Sequence, residues 1–158
     1  MKIQLFRVDD RLIHGQVVIG WASHLKSEQI ILCDDSVYNN DWEKELYLSI
    51  VDESIKTQVM PVDELAGLLK EGMLDLEKTI IVVKGPEVVE ELLQKRAVLD
   101  AINIGGLHHK EGRETYLSYL YMGPEEVASF KRIMKSGVQI FCQDVPEAKE
   151  IPFQDIII

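Results

Sequence analysis

Thr79-Ile80-Ile81-Val82-Val83 constrains the fold more than any other stretch of the sequence. All its side chains are β-branched, and Lys78 and Lys84-Gly85-Pro86 bracket it. Such a run reads as a strand buried in a sheet. Similar runs recur at Ile3 to Val8, Gln29 to Cys33, Gln58 to Val62, Ala101 to Ile104 and Val138 to Cys142. Pro61 falls at the end of its run, where a missing N–H does least harm.

Helical patterns fill the gaps. Val17, Val18, Trp21, Ala22 and Leu25 make one apolar face over Gln16 to Leu25. Asn39-Asn40-Asp41 offers caps for a helix carrying Trp42, Leu46, Leu48 and Ile50. Asp63 can cap Glu64 to Lys70, closed by Gly72. Pro86 starts a helix with Val88, Val89, Leu92 and Leu93 inward. Gly123-Pro124-Glu125-Glu126 opens another through Met134, closed by Lys135-Ser136-Gly137.

Strands alternating with helices at this spacing mean crossover units. The expected fold is α/β: an open, mainly parallel sheet with helices on both faces. Tyr116 to Met122 reads as a strand near an edge, and Ile156-Ile157-Ile158 as a last short one, giving an antiparallel edge near the C-terminus. No linker or repeat divides the chain, so residues 1–158 are read as a single domain.

Composition excludes several classes. The formal charge of −10 repels polyphosphate, which argues against nucleic-acid binding. No apolar run approaches the roughly 18–20 residues that span a bilayer. The N-terminus lacks a signal-peptide pattern, so a cytoplasmic protein is expected. Cys33 and Cys142 lie inside apolar runs, as reduced core cysteines do.

The chemistry concentrates where the first strand meets the first helix, in R-V-D-D-R-L-I-H-G-Q-V, Arg7 to Val17. An open α/β sheet usually binds its ligands at such a junction. The first amides of a helix are unpaired and can hold a phosphate. Their field disfavours a protonated His14, leaving a neutral imidazole that can act as a nucleophile. Arg11 could bind phosphoryl oxygens through its planar fork. Gly15 would let the backbone approach an anion closely. Asp9 or Asp10 could orient one imidazole nitrogen, or simply cap the helix or pair with Arg7 or Arg11. These parts suit reversible phosphorylation of His14, with Asp10, Arg11, Gly15 and Gln16 as candidates to bind or orient the phosphate, although from composition alone a lone loop histidine is usually just solvated.

Rival motifs are missing. There is no G-x-x-x-x-G-K-[ST] loop and no G-x-G-x-x-G after a strand. His108-His109 lacks the partners of a zinc site and reads as a docking loop near the anion site. No metal and no cofactor is expected.

The opening stretch resembles the N-terminal signature of the IIB components of the mannose/fructose/sorbose family of the bacterial phosphoenolpyruvate-dependent sugar phosphotransferase system. Ile30-Ile31-Leu32-Cys33-Asp34-Asp35 is similar to that family's second strand. Ile102-Asn103-Ile104-Gly105-Gly106-Leu107 with Gly112-Arg113 is similar to its N-[VI]-G-G-[ML]-x-x-x-x-G-[KR] stretch. Val138 onward, with Val145-Pro146, is similar to its closing strand and tail. The resemblance implies a phosphotransferase whose His14 takes a phosphoryl group from a phosphohistidine on the IIA component, on the ring nitrogen nearer the backbone. It also implies transfer onward to a sugar entering through the membrane components IIC and IID, with peripheral membrane association through them. Arg11 matches the loop arginine and Asp10 the neighbouring carboxylate. Tyr47 to Glu53 and Arg96 to Leu99 depart from the family pattern, which bears on docking and sugar choice. Homo-oligomerisation is left open. The alternative is a non-enzymatic anion-binding or regulatory module using the same loop.

Overall fold

A computed structural model describes residues 3–71 and 75–157. A central sheet is built from β1 (Leu5–Asp9), β2 (Gln29–Cys33), β3 (Lys56–Met60), β4 (Thr79–Val83), β5 (Ala101–Gly106), β8 (Gln139–Cys142) and β9 (Ile151–Pro152). Their order is β3-β2-β4-β1-β5-β8-β9. Every pairing is parallel except β8 with β9, which is antiparallel. The expected parallel sheet with an antiparallel edge near the C-terminus is present.

Strand alternation sends side chains to two separate cores. Phe6, Val8, Ile31, Cys33, Ile81 and Val83 meet α4 (Val62–Glu71), α5 (Pro86–Gln94) and α6 (Pro124–Lys135) on one face. Leu5, Ile30, Leu32, Ile80 and Val82 meet the other face, covered by Val17, Trp21 and Ala22 of the first helix and by Val37. Helices therefore lie on both faces. Among the described residues, none is long and apolar enough to cross a membrane.

The first helix, α1, is wound as a π-helix over Gln16–Ala22 and continues as α-helix over Ser23–Leu25. Such widened turns often mark functional sites. Lys26 ends it in the left-handed conformation, with φ of 55°. His24 is exposed at this end.

Several local expectations differ from the structure. A short helix, α2 (Asp35–Tyr38), follows β2, capped by the Asp34 carboxylate accepting from the Val37 amide. Asn40 caps α3 (Asp41–Ile50) by accepting from the Glu43 amide, as its position implied. The α3 stripe of Trp42, Leu46 and Ile50 faces outward, at 73%, 48% and 43% exposure. Asp63 does not cap α4 but lies in its first turn, because the helix already starts at Val62. Tyr116 to Met122 is not one strand. It belongs to an antiparallel hairpin of β6 (Glu114–Leu117) and β7 (Leu120–Met122), separate from the main sheet. The tail pairs at Ile151–Pro152, and Phe153–Asp155 then forms a 3-10 turn, so Ile156-Ile157 is not strand. The inward placement of Val18, the helix stop at Gly72 and the position of Ile158 lie outside what is described.

Both cysteines are buried and unpaired. Burial pushes both thiols upward, Cys142 to about 12.

Candidate active site

Strand β1 lies between β4 and β5. Its helical connection leads to β2 on one side, while β5 leads through α6 to β8 on the other. The carboxyl end of β1 is thus a topological switch point, the place where open α/β sheets usually bind their ligands. Val8 pairs with Ile104 and Asp9 with Gly106, so the register slips at Gly105 of β5 where the two strands enter the site.

The loop after β1 turns tightly. The Leu12 amide donates to the Asp9 carbonyl at 3.0 Å, and Leu12 sits at φ of 60°. A branched side chain in this left-handed region is strained and persists only where its surroundings hold it. The surroundings are the core: Leu12 and Ile13 are both buried among Leu5, Trp21 and Val82. Two apolar anchors therefore set the position of the next residue, His14.

Asp9 organises the site. It is fully buried and accepts from the Arg11 amide, the Arg11 Nε and Nη2, the Arg7 Nη2 and the His14 Nε2, at 3.0–3.2 Å. Burial alone would raise its carboxyl, but hydrogen bonds from His14 and Arg11, with the Arg7 charge, outweigh it and hold the group at about 2. Asp9 is therefore an acceptor only at neutral pH.

This fixes the His14 tautomer. Nε2 lies 3.0 Å from the Asp9 Oδ2, so it must donate. Nδ1 receives the Gln16 backbone N–H at 3.3 Å, so it must accept. Only the neutral ring protonated on Nε2 satisfies both neighbours. The side chain keeps 18% of its surface exposed, which leaves it open to a partner.

Arg11 lies beside this ring. Its Nη2 bridges Asp9 and the Gln16 Oε1, the latter at 2.9 Å, so both Nη2 hydrogens and Nε–H are engaged. Among the described residues, Nη1 makes no hydrogen bond to protein, which leaves two donors on a side chain 34% exposed. Gly15 has helical angles, and a Cβ there would meet nothing within 4 Å. Its lack of a side chain leaves open space beside the histidine and meets no backbone need. Gln16 contributes its amide to the His14 Nδ1 and its side-chain oxygen to Arg11.

Asp10 goes elsewhere. It does not touch the imidazole of His14. Its carboxylate accepts from the His108 amide at 2.9 Å, meets the His108 Nδ1 at 2.5 Å and pairs with Arg113 at 3.3 Å. Successive strand residues face opposite ways, and Asp10 leaves β1 on the side opposite Asp9. His108 thus joins the site's rim, while His109 packs edge-on against Tyr121. Among the described residues no group of three or more His, Cys, Asp or Glu is placed to hold a metal.

Beneath Asp9 lies a second layer of polar contacts that the opening loop gives no sign of. Arg7 is fully buried. Its Nη1 donates to the Asn103 Oδ1 at 3.0 Å and the Gln143 carbonyl at 3.3 Å, and its Nη2 to the Asp144 carbonyl at 2.9 Å. The Trp21 ring lies 5.5 Å from its guanidinium carbon, and Trp21 Nε1 donates to the same Asp144 carbonyl at 2.8 Å. Burial lowers Arg7 from its ordinary value while the adjacent Asp9 opposes that shift. Gly105 completes the pocket, because a Cβ there would collide with the Arg7 guanidinium. An arginine within a buried strand, paired in register with Asn103 on β5, is the signal that locates this layer.

Comparison with known proteins agrees with this architecture. The family described as PTS system sorbose subfamily IIB component matches residues 3–158. The sorbose-specific EIIB component of Lacticaseibacillus casei is 29% identical over 157 residues, covering 99% of this chain and 94% of that one. The N-acetylgalactosamine-specific phosphotransferase enzyme IIB component 1 of Escherichia coli K12 is 27% identical over 155 residues, covering 96% and 97%. The crystal structure of the IIBSor domain of the Klebsiella pneumoniae sorbose permease superposes with a TM-score of 0.87 at 25% identity, covering 99% and 96%. The chain belongs to the sorbose subfamily of PTS IIB components, and that membership makes it a sugar phosphotransferase subunit.

Proposed function

We propose that His14 is the phosphoryl relay of this sugar phosphotransferase subunit, and that the group is carried on Nδ1. The observation that carries this reading is the pair of hydrogen bonds on its ring. The carboxylate of Asp9 keeps the proton on Nε2, so Nδ1 presents a lone pair and no proton has to leave before it attacks.

In the first step the phosphohistidine of the IIA component is the donor. Its N–P bond breaks as the Nδ1–P bond forms. The His14 ring then gains positive character, which the Asp9 carboxylate stabilises through Nε2–H. The Gln16 amide, 3.3 Å from Nδ1, is released by the new bond and can donate to a phosphoryl oxygen at the helix start. The two Arg11 donors on Nη1 supply a second contact. Phosphoryl transfer needs positioning and charge stabilisation above all, and these groups provide both. In the second step a hydroxyl of the sugar, held by IIC and IID, attacks phosphorus. The N–P bond breaks, the hydroxyl proton leaves to a base or solvent on the membrane side, and His14 returns to its starting tautomer.

The test uses the purified chain with phosphoenolpyruvate, enzyme I, HPr and the cognate IIA. Intact-mass measurement is expected to find one acid-labile, base-stable phosphoryl group, absent from His14→Gln. Uptake by His14→Gln at the wild-type rate would overturn the assignment.

A further inference from the structure

The contacts of Asp10 place a second imidazole at the rim of the same site. The loop after β5 is latched to the loop after β1 through Asp10, which meets both the backbone amide and the Nδ1 of His108. Arg113 reinforces the latch: its Nη1 donates to the Asp10 Oδ2 at 3.3 Å and to the His108 carbonyl at 2.8 Å, and its Nε pairs with Glu126 at 3.4 Å. The Asp10 amide closes the other side by donating to the Gly106 carbonyl at 3.1 Å.

Gly106 sits between the two loops. From the point where its Cβ would stand, the Arg11 Nη2 is 3.6 Å away and the His108 Cε1 is 3.8 Å away. Arg11 and His108 thus flank one small gap left by a glycine, and Arg11 is bonded to Asp9 and Gln16 of the His14 cluster. The His108 side chain is 46% exposed, so its edge is open to an incoming group.

We propose that His108 is a phosphoryl-binding residue for the relay at His14, with Asp10 as its positioning residue. This rests on the assignment of the phosphoryl group to His14. With Nδ1–H donated to Asp10, Nε2 is the nitrogen left for the phosphoryl oxygens. A neutral ring in that tautomer has only a lone pair at Nε2 and repels an anion. A protonated ring donates from Nε2–H in a charge-assisted bond. The groups that face the ring are the Asp10 carboxylate, which favours that charge, and the guanidiniums of Arg11 across Gly106 and Arg113 beneath, which oppose it. The contact is therefore made by the protonated ring.

Asparagine at 108 separates the two roles of the ring. Its amide nitrogen replaces Nδ1–H and keeps the bond to Asp10, but nothing replaces Nε2–H. The experiment follows phosphoryl transfer from phospho-IIA to the chain at several pH values and takes the ratio of wild type to His108→Asn at each, which cancels the titration of IIA itself. The ratio is expected to grow about tenfold from pH 8.5 to pH 6, the value of one charge-assisted hydrogen bond. Asp10→Asn, which loosens the hold on the ring, should flatten that rise. A ratio that is the same at every pH, whether near one or uniformly large, overturns the proposal while leaving the role of His14 intact. Failure of the wild type to accept any phosphoryl group overturns both.

Discussion

The guanidinium of Arg7 fills the space that a side chain at position 105 would occupy. Two strands 98 residues apart in sequence are thereby fitted to each other at the point where both enter the candidate site. The same guanidinium bonds the Asp9 carboxylate at 3.2 Å, so crowding at residue 105 is passed to the group that orients His14.

Gly105→Ala is therefore expected to destabilise the chain by about 1–3 kcal/mol, the usual cost of inserting a methyl into a filled interior. Urea unfolding measures it. In the proposed relay, transfer to His14 should slow as well, because displacing Arg7 disturbs its bond to Asp9. A variant with wild-type stability and rate would show that Arg7 repacks freely.

Asp9→Asn tests the control of the imidazole tautomer. An amide does not demand a donor from Nε2 as a carboxylate does, and its own N–H can turn toward the ring. Transfer should fall by about 100-fold or more, comparable to losing a partner that orients a reactive imidazole. ¹⁵N chemical shifts of the His14 ring should report a single Nε2–H tautomer in the wild type and a mixture in the variant.

The same residue sets an acid limit. Asp9 titrates near 2 in the fold, below its ordinary value of 3.8. The unfolded chain binds this proton first, so the stabilisation is complete above pH 4 and is lost as pH falls toward 2. It amounts to roughly 2 kcal/mol. Denaturation midpoints of the wild type should drop through this window, and those of Asp9→Asn should drop less.

The two tryptophans should respond in opposite ways. Trp21 is buried over Arg7 and bonded to Asp144, so Trp21→Ala should cost about 3–5 kcal/mol. Trp42, 73% exposed on α3, should change stability by less than about 0.5 kcal/mol when replaced by glutamine. Thermal unfolding of the pair of variants makes the comparison.

Cys33 and Cys142 should resist an aqueous thiol reagent in the native chain. Both are buried, and burial raises both thiols, Cys142 to about 12, so little thiolate is present at neutral pH. Two equivalents are expected to react once the chain is unfolded.

The sheet was legible because its strands are marked by β-branched runs and its helices by caps and prolines. Thr79–Val83 and Pro86–Gln94 lie where those signals put them. The hairpin at Glu114–Leu117 and Leu120–Met122 was not, because Ser118-Tyr119 carries no glycine or asparagine to announce a turn. On α3, spacing predicts which residues share a face but not which way the face points. Trp42, Leu46 and Ile50 do share one, and it is turned to solvent.

In the site, His14 and Arg11 are readable because they sit in one loop. The division of labour between Asp9 and Asp10 follows from strand alternation, since Leu5, Arg7 and Asp9 share a face, and that clue lay within the sequence. Asn103, Gln143 and Asp144 were out of reach. Only the sheet order brings their residues to Arg7, and two of the three contribute backbone carbonyls, which no side-chain pattern records.

The loop that holds His14 is nailed down by Leu12 and Ile13, whose side chains are buried in the core. A ring on such a mount cannot swing from one partner to the other. In the proposed relay, donor and acceptor must each come to the same nitrogen, and the first must leave before the second arrives. The protein then works as a turnstile: a tightly held IIA would block sugar phosphorylation, and the exchange of partners can limit the rate of the whole pathway even when each chemical step is fast.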